Sequence, residues 1–174
     1  VKPALLNLPN KVTRNMHINQ AGDYIILKLT EAGEELNHLK LQKLLYYAQA
    51  WYLAFYGKQL FYEDFQAWIH GPINRTLYDR FASTKSLYSD IERDDISPEF
   101  ELKSLSEQDR NHLDTILETY AKFSGVQLEE MTHKETPWIE ARKGYRSSQR
   151  CEEPINCEVM RDYYVARLKV NNGT

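Results

Sequence analysis

The stretch HLKLQKLLYYAQAWYLAFY, residues 38–56, decides the fold of this chain. It contains no Gly or Pro, and from position 44 onward Gln49 is its only residue that is neither apolar nor aromatic. A helix that is apolar on nearly every side is buried on nearly every side. The sequence therefore predicts a central helix at 38–56 with other elements packed around it. Its two charges, Lys40 and Lys43, fall in the first two turns, where we expect the helix to emerge into solvent.

Capping residues mark the ends of this helix and of several others. Asn37 precedes it and is a preferred N-cap residue, while Gly57 follows it where a left-handed residue often ends a helix. Similar signals predict further helices over residues 20–30, 73–81, 107–123, 124–132, 136–143 and 157–169. The predicted fold class is mainly α, a compact bundle of about eight helices around the buried central helix 38–56. We expect at most a minor short β element, near residues 59–69 or 88–97.

Aromatic residues are concentrated around this central helix. Of the 21 Phe, Trp and Tyr residues, ten lie between positions 46 and 68. A core group on the helix comprises Tyr46, Tyr47, Trp51, Tyr52, Phe55 and Tyr56, and a turn group around it comprises Tyr62, Trp68, Tyr78 and Trp138. We expect the core group to hold the fold together and any recognition function to rest on the turn group.

Length and composition exclude several classes of protein. A chain of 174 residues suits one domain, with an N-terminal extension at 1–15, a helical domain at 16–170 and a tail at 171–174. The extension is expected either to lie across the domain surface or to be mobile. No apolar run is long enough for a membrane-spanning helix or, within residues 1–15, for a signal peptide. A net charge of −3 gives no global attraction to nucleic acid, and only two cysteines predict a reducing, cytoplasmic location.

No pattern in the sequence indicates catalysis or a bound cofactor. The motifs of serine hydrolases, phosphate-binding loops and zinc proteases do not occur in it. A metal site would have to combine His70, His133, Cys151 and Cys157, whose spacing matches no metal-binding pattern. We therefore predict no catalytic residue, no metal, no cofactor and no enzymatic activity.

Two short stretches combine a His, a Trp and a proline near the start of a helix. They are AWIHGP at residues 67–72 and THKETPW at residues 132–138. Pro72 and Pro137 each suit the first turn of the helix that follows, with Thr136 as the expected N-cap of the second. One interpretation makes the two stretches a recognition surface or a small pocket. The other makes them helix caps whose aromatic rings pack on the central helix, and the sequence leaves both open.

These stretches resemble the Panacea domain family, which includes the phage-associated GepA proteins. The resemblance rests on KLQKLLYYAQAW at residues 40–51, FQAWIHGP at 65–72 and THKETPWIEAR at 132–142, together with Leu77-Tyr78. The three blocks are specific in combination, and the similarity runs in order along nearly all of the chain beyond the extension. Ile69 departs from the pattern, because relatives are expected often to have Pro at this position.

The resemblance implies an antitoxin of a type II-like toxin–antitoxin system. Such proteins neutralise a toxin encoded by the neighbouring gene through direct protein–protein contact, and one relative also delivers its toxin to a cytoplasmic protease. We expect no membrane and no nucleic-acid partner, since residues 1–15 are too short for the DNA-binding domain of some members. A homo-oligomer is left open. Residues 83–119, with ten acids against four bases, would suit a basic toxin.

The predicted partner-binding residues are Tyr62, Trp68, His70, Gly71, Pro72, Tyr78, His133, Thr136, Pro137 and Trp138. The resemblance implies no catalytic residue. Two alternative functions stay open at this point, a small enzyme with a pocket formed by His70 and His133, and a DNA-binding transcriptional regulator. The enzyme alternative requires the two imidazoles to approach one shared site.

Overall fold

The computed structural model describes residues 15–171 and residue 173. Within these residues the chain forms seven α-helices, one β-hairpin and two short 3₁₀ helices, which confirms the predicted mainly α fold. The helices are α1 (Ile18–Glu31), α2 (His38–Tyr56), α3 (Arg75–Phe81), α4 (Glu107–Tyr120), α5 (Gly125–His133), α6 (Thr136–Ala141) and α7 (Cys157–Asn171). The strands are β1 (Phe65–Trp68) and β2 (Gly71–Asn74), and the 3₁₀ helices span Arg93–Asp95 and Leu102–Ser104.

Some of the predicted features lie outside this description or are only partly formed. The extension predicted at residues 1–15 lies outside the described residues except for Asn15, as do residues 172 and 174 of the predicted tail. Of the two places considered for a β element, 59–69 contains β1, whereas 88–97 contains only an isolated bridge from Asp90 to Asn37. Among the described residues, no helix combines the length and the apolar character that crossing a membrane requires.

Helix α2 occupies the centre of the fold, as the sequence predicts. Every residue from His38 to Leu53 is buried except Trp51, which is half-buried. Helices α1, α4, α5 and α7 and the hairpin all pack against it. Both predicted caps are present, because the Asn37 side chain accepts a hydrogen bond from a backbone N–H of the first turn and Gly57 has a φ of 66°.

The end of α2 that emerges into solvent is the C-terminal end, so the expectation from the sequence is wrong. Lys40 and Lys43 are only 6% and 0% exposed, whereas Phe55 and Tyr56, assigned to the core group, are 49% and 45% exposed. The lysines can be buried because their ammonium groups reach backbone carbonyl oxygens of neighbouring segments. Lys40 Nζ, for example, donates to the carbonyl of Ala121 at 2.6 Å.

Two glutamines of α2 bind the backbone on either side of the hairpin. The Gln49 side chain accepts hydrogen bonds from the N–H groups of Leu60 and Phe61 at 2.8 and 3.0 Å. The Gln42 side chain accepts from the N–H of Asn74 at 2.9 Å and donates to its carbonyl at 3.3 Å. These buried bonds satisfy backbone groups that have no access to water, and they fix where the hairpin segment begins and ends on the central helix.

The hairpin replaces the start of a predicted helix. Residues 73–81 are predicted to be helical with Pro72 at the first position, but β2 extends through Asn74 and α3 begins only after it. β1 pairs antiparallel with β2 so that Trp68 lies opposite Gly71. The sequence-based prediction is wrong here because pairing with β1 and the bonds between Gln42 and Asn74 hold the backbone extended. Pro72 therefore lies in β2, and Asn74 caps α3 through its side-chain oxygen.

The other helix starts follow from local capping signals. Ser106 and Ser124 cap α4 and α5, and Asn156 caps α7 by accepting hydrogen bonds from two backbone N–H groups of its first turn. At α6 the prediction is wrong by one residue, since Glu135 is the N-cap and Thr136 is the first helical residue. The Glu135 side chain makes no capping hydrogen bond and is instead held inside the protein.

Glu135 is a buried carboxylate at the junction of α2, α6 and α7. It is 4% exposed, and it accepts hydrogen bonds from the hydroxyls of Tyr47 at 2.6 Å and Tyr164 at 2.5 Å and from Arg167 at 3.1 Å. Burial raises the pKa of Glu135, while these donors oppose the rise. Tyr47 also stacks on Tyr120, with ring centroids 4.0 Å apart, so the polar cluster is continuous with the aromatic core.

We predict that Glu135→Ala destabilises the protein by about 3–5 kcal/mol, the usual cost of removing one partner from a buried charged cluster. The two tyrosine hydroxyls would lose their acceptor inside the core. Denaturant unfolding followed by circular dichroism measures the change. The matched control is Glu130→Ala, an exposed carboxylate on α5, which should change the free energy of unfolding by less than about 0.5 kcal/mol. Equal effects of the two substitutions would contradict the assignment.

Candidate partner-binding site

The three blocks that carry the family resemblance meet at the hairpin. From α6, Trp138 Nε1 donates to the carbonyl of Trp68 at 2.8 Å. From α2, Lys43 Nζ donates to the carbonyl of Pro72 at 3.0 Å. The hairpin is thus held between the central helix and the segment around α6, and residues far apart in sequence come together around its turn.

A close backbone approach occurs at Gly71, the first residue of β2. A Cβ atom placed there would lie 2.7 Å from Thr132 Oγ1 and 2.8 Å from Lys43 Cε. The φ of +83° at Gly71 also belongs to the region that residues with a Cβ rarely adopt. Glycine is therefore required by both conformation and space. Gly71 and the adjacent Pro72 are buried, so they lie on the inner side of the hairpin turn.

The two imidazoles singled out by the sequence approach one carboxylate. His70 Nδ1 lies 3.8 Å and His133 Nε2 lies 3.9 Å from Oε1 of Glu129. Both distances exceed a hydrogen bond, so each contact becomes an ion pair only when the imidazole is protonated. Burial lowers the pKa of His133, and the charge of Glu129 opposes this. Trp138 stacks on His133 with ring centroids 4.2 Å apart.

Lys43 lies behind this group of side chains. It is fully buried, and burial lowers its pKa to about 7, while the nearby charge of Glu129 raises it. Beneath the hairpin turn, a buried lysine with a lowered pKa therefore lies near a half-buried carboxylate whose charge favours the protonated form.

A cavity of about 410 Å³ opens beside the hairpin turn. Its main lining residues are Trp68, His70, Arg75, Tyr78, Leu87 and Arg150. Trp68 and Tyr78 form an aromatic wall, with ring centroids 4.9 Å apart. The Arg75 guanidinium lies over both rings, 5.6 and 5.8 Å from their centroids, at distances typical of cation–π contacts. Three predicted partner-binding residues, Trp68, His70 and Tyr78, thus share one open site.

Two arginines converge on one carboxylate at the mouth of this cavity. Arg75 Nη1 and Arg150 Nη2 each lie 2.9 Å from Oε1 of Glu152. The side chains are 48%, 80% and 41% exposed in that order, so the cluster is open to solvent. The hydrogen bond from Arg150 and the charges of the two arginines lower the pKa of Glu152.

The remaining predicted residues divide into supporting and separate ones. Pro137 is buried, and Thr136 is exposed at the start of α6. Tyr62 is 70% exposed but lines another cavity, together with Met16 and Leu105. The structure therefore does not bring Tyr62 to the site around the hairpin.

Sequence reasoning missed several residues of this site. The sequence did indicate a special role for Lys43, because a charged side chain within a buried helix needs a hydrogen-bonding or charged partner. Arg75, Glu129, Arg150 and Glu152 carried no such indication, since each belongs to an ordinary polar stretch and reaches the site only through the tertiary fold.

No three His, Cys, Asp or Glu side chains in residues 15–171 and 173 are placed so that they could hold a metal ion. Cys151 is buried behind the cavity and Cys157 is half-buried, and both are unbridged thiols.

Comparison with known families decides the relationship of this chain. Residues 41–139, more than half of the sequence, match the family model described as antitoxin SocA-like, Panacea domain. The chain belongs to the Panacea domain family. The match includes Lys43, the hairpin, Glu129 and Trp138. Arg150 and Glu152, which form the rim at the mouth of the cavity together with Arg75, lie beyond the matched residues. Among curated proteins and solved structures, none matches the chain.

We predict that Gly71→Ala destabilises the domain more than Gly144→Ala does. Gly144 also has a positive φ, of 91°, but no atom lies within 4 Å of a Cβ placed on it. The Gly144 variant should therefore show only the backbone cost, about 1–2 kcal/mol. The Gly71 variant should lose about 1–3 kcal/mol more, because the methyl group must displace Lys43 and Thr132. Equal losses in denaturant unfolding would contradict the close approach.

The lowered pKa of Lys43 predicts a specific dependence of stability on pH. Between pH 7 and about 10 the unfolded chain holds a proton at Lys43 more often than the folded one, so the lysine's contribution to stability rises with pH. The free energy of unfolding of the wild type, minus that of Lys43→Met, should increase by up to about 1.4 kcal/mol per pH unit from pH 7 to 9. The exposed Lys143→Met is the control, and its difference from wild type should stay constant over this range.

Proposed function

We propose that this protein is the antitoxin of a type II-like toxin–antitoxin system and neutralises the toxin encoded by the neighbouring gene through direct protein–protein contact. The observation that carries the proposal is the Panacea domain match over residues 41–139. Delivery of the bound toxin to a cytoplasmic protease is a second step that the same complex would allow. Both steps belong in the cytoplasm, where we propose that the protein acts.

The chemistry of the cavity supports a binding role. Residues that dominate protein interfaces are mainly Trp, Tyr and Arg in partly enclosed sites. The cavity combines Trp68, Tyr78 and Arg75 on a rigid hairpin and helix, and all three are accessible to solvent. We propose that Trp68, His70 and Tyr78 contact the partner, while Gly71, Pro72, His133, Pro137 and Trp138 hold them in place.

Co-expression with the neighbouring gene tests the proposed function. Induction of that gene alone should arrest growth, and induction together with this protein should restore it. The two proteins should then co-purify as a stable complex through size-exclusion chromatography. Growth arrest that persists with both proteins present, or the absence of a complex, would contradict direct neutralisation.

A second candidate, an enzyme using His70 and His133, is favoured by the approach of both imidazoles to Glu129. General acid–base chemistry would need the charge of Glu129 to set the protonation of the two imidazoles. Glu129→Gln keeps the shape and removes this charge. A binding antitoxin should retain growth rescue and complex formation in this variant. An intact complex with growth rescue lost would instead favour catalysis.

A further inference from the structure

The cavity beside the hairpin turn combines an aromatic wall with a basic rim. We propose that it binds an acidic segment of the partner protein that inserts an aromatic side chain, and that a partner carboxylate takes the place of Glu152 between Arg75 and Arg150. The inference rests on the proposed function only in that the partner would be the toxin. It adds the chemistry of the segment that is recognised and the side chains that recognise it.

The wall of the cavity fits an aromatic side chain. Trp68 and Tyr78 present their rings at an interplanar angle of 59°, and Leu87 adds an apolar surface that is itself 8% exposed. The Trp68 indole N–H already donates to Gln66 at 2.8 Å and Arg75 lies over both rings, so the wall offers apolar ring surface beside a guanidinium and not an unpaired donor. Aromatic rings favour such a surface in tilted or edge-to-face contact. The volume of about 410 Å³ lies in the range of sites that enclose a small ligand or a side chain.

The rim of the cavity fits a carboxylate. Arg75 and Arg150 already bind one carboxylate oxygen, that of Glu152, from two directions at 2.9 Å each, and Arg75 Nε also pairs with Asp79 one turn along α3 at 3.2 Å. Exchange of Glu152 for a carboxylate of the partner protein would keep both charge-assisted hydrogen bonds. Neither arginine would then lose contact with water without gaining a carboxylate in its place. Glu152 is a side chain of an exposed loop and can swing into solvent, which makes it a competitor within the same molecule.

The stretch of chain that ends at Arg150 is basic. Residues 142–150 contain four basic residues and no acidic one. Arg142 is buried and donates to backbone carbonyls, including that of Ala67 at 2.8 Å, but Lys143, Arg146 and Arg150 are exposed. The positive charge of Arg150 at the cavity mouth is therefore continued along the chain that leads to it. This favours an acidic segment, in contrast to the expectation from residues 83–119 that the toxin presents a basic surface.

Peptide titration followed by nuclear magnetic resonance tests the inference without the toxin. The chain has three Trp residues, so the indole N–H signals of ¹⁵N-labelled protein are few and can be assigned with a Trp68→Phe variant. The probe is the blocked peptide DEFED. It should shift the Trp68 indole signal and leave that of Trp51 unchanged. The matched peptides DEAED and KRFRK should bind at least tenfold more weakly. Equal affinity of the three, or tighter binding of KRFRK, would overturn the proposal.

Substitutions at the rim give effects of opposite sign. The double variant Arg75→Gln with Arg150→Gln should weaken DEFED binding at least tenfold, whereas Arg161→Gln, an arginine on α7 away from the cavity, should not. Glu152→Gln removes the internal competitor and should strengthen binding severalfold. This variant keeps the inference testable if the double variant unfolds, because loss of a surface carboxylate should not prevent folding. Weaker binding by Glu152→Gln would overturn the exchange of carboxylates.

Two further comparisons separate this inference from its rivals. Phenylacetate that binds as tightly as DEFED would make the cavity a small-molecule site and overturn the assignment to a protein segment. In the co-expressed complex, p-benzoylphenylalanine placed at Tyr78 should crosslink to an acidic, aromatic segment of the toxin, and the same group at Tyr62 should not. A stable complex that crosslinks only elsewhere would sink this inference and leave the proposed function standing.

Discussion

The ammonium group of Lys43 has no contact with solvent, and it donates a hydrogen bond to the carbonyl of Pro72. Removing an ammonium group from water costs several kcal/mol unless acceptors replace the lost water. The Pro72 carbonyl provides one such acceptor, and the nearby charge of Glu129 favours the protonated lysine. The hairpin must therefore lie where its carbonyl meets the lysine, and Gly71 must lack a Cβ for the strand to come so close. This constraint fixes the hairpin on α2, and the hairpin in turn positions Trp68 at the cavity.

The same reasoning explains why the three blocks of the Panacea resemblance are specific only in combination. Each pair of blocks is joined by at least one buried or half-buried hydrogen bond between side chain and backbone or between side chains. The pairs are Lys43 with Pro72, Arg142 with Ala67, and Glu135 with Tyr47. A buried polar group that loses its hydrogen-bond partner lowers the stability by about 1–3 kcal/mol. A substitution in one block therefore leaves an unsatisfied polar group in another. In this chain the three blocks are thus joined by contacts that the sequence alone does not show.

Features that depend on residues close together in the sequence could be predicted from it, and features that depend on distant residues could not. Helix α2 and the caps at Asn37 and Ser124 depend on residues within four positions of each other, and they could be predicted. The extended segment 71–74 could not, because Pro72 suits a helix start locally, whereas pairing with β1 and the bonds from Gln42, some 30 positions earlier, hold the backbone extended. The motif residues at the site could be named from the resemblance. The arginine rim could not, since it is assembled from α3 and a loop far along the chain.

In this site the residues that support the hairpin are buried, and the residues proposed to contact the partner are accessible to solvent. Gly71 and Pro137 lie in the buried layer, where their conformation and packing set the position of the backbone above them. Trp68, Tyr78 and Arg75 lie in the accessible layer, and they are among the residues proposed to contact the partner. Because the lower layer depends on close contacts, it tolerates few changes, whereas rim residues can change with little effect on folding. In this chain, substitutions at the rim should therefore change what the cavity binds, while the hairpin keeps presenting the rim in the same place.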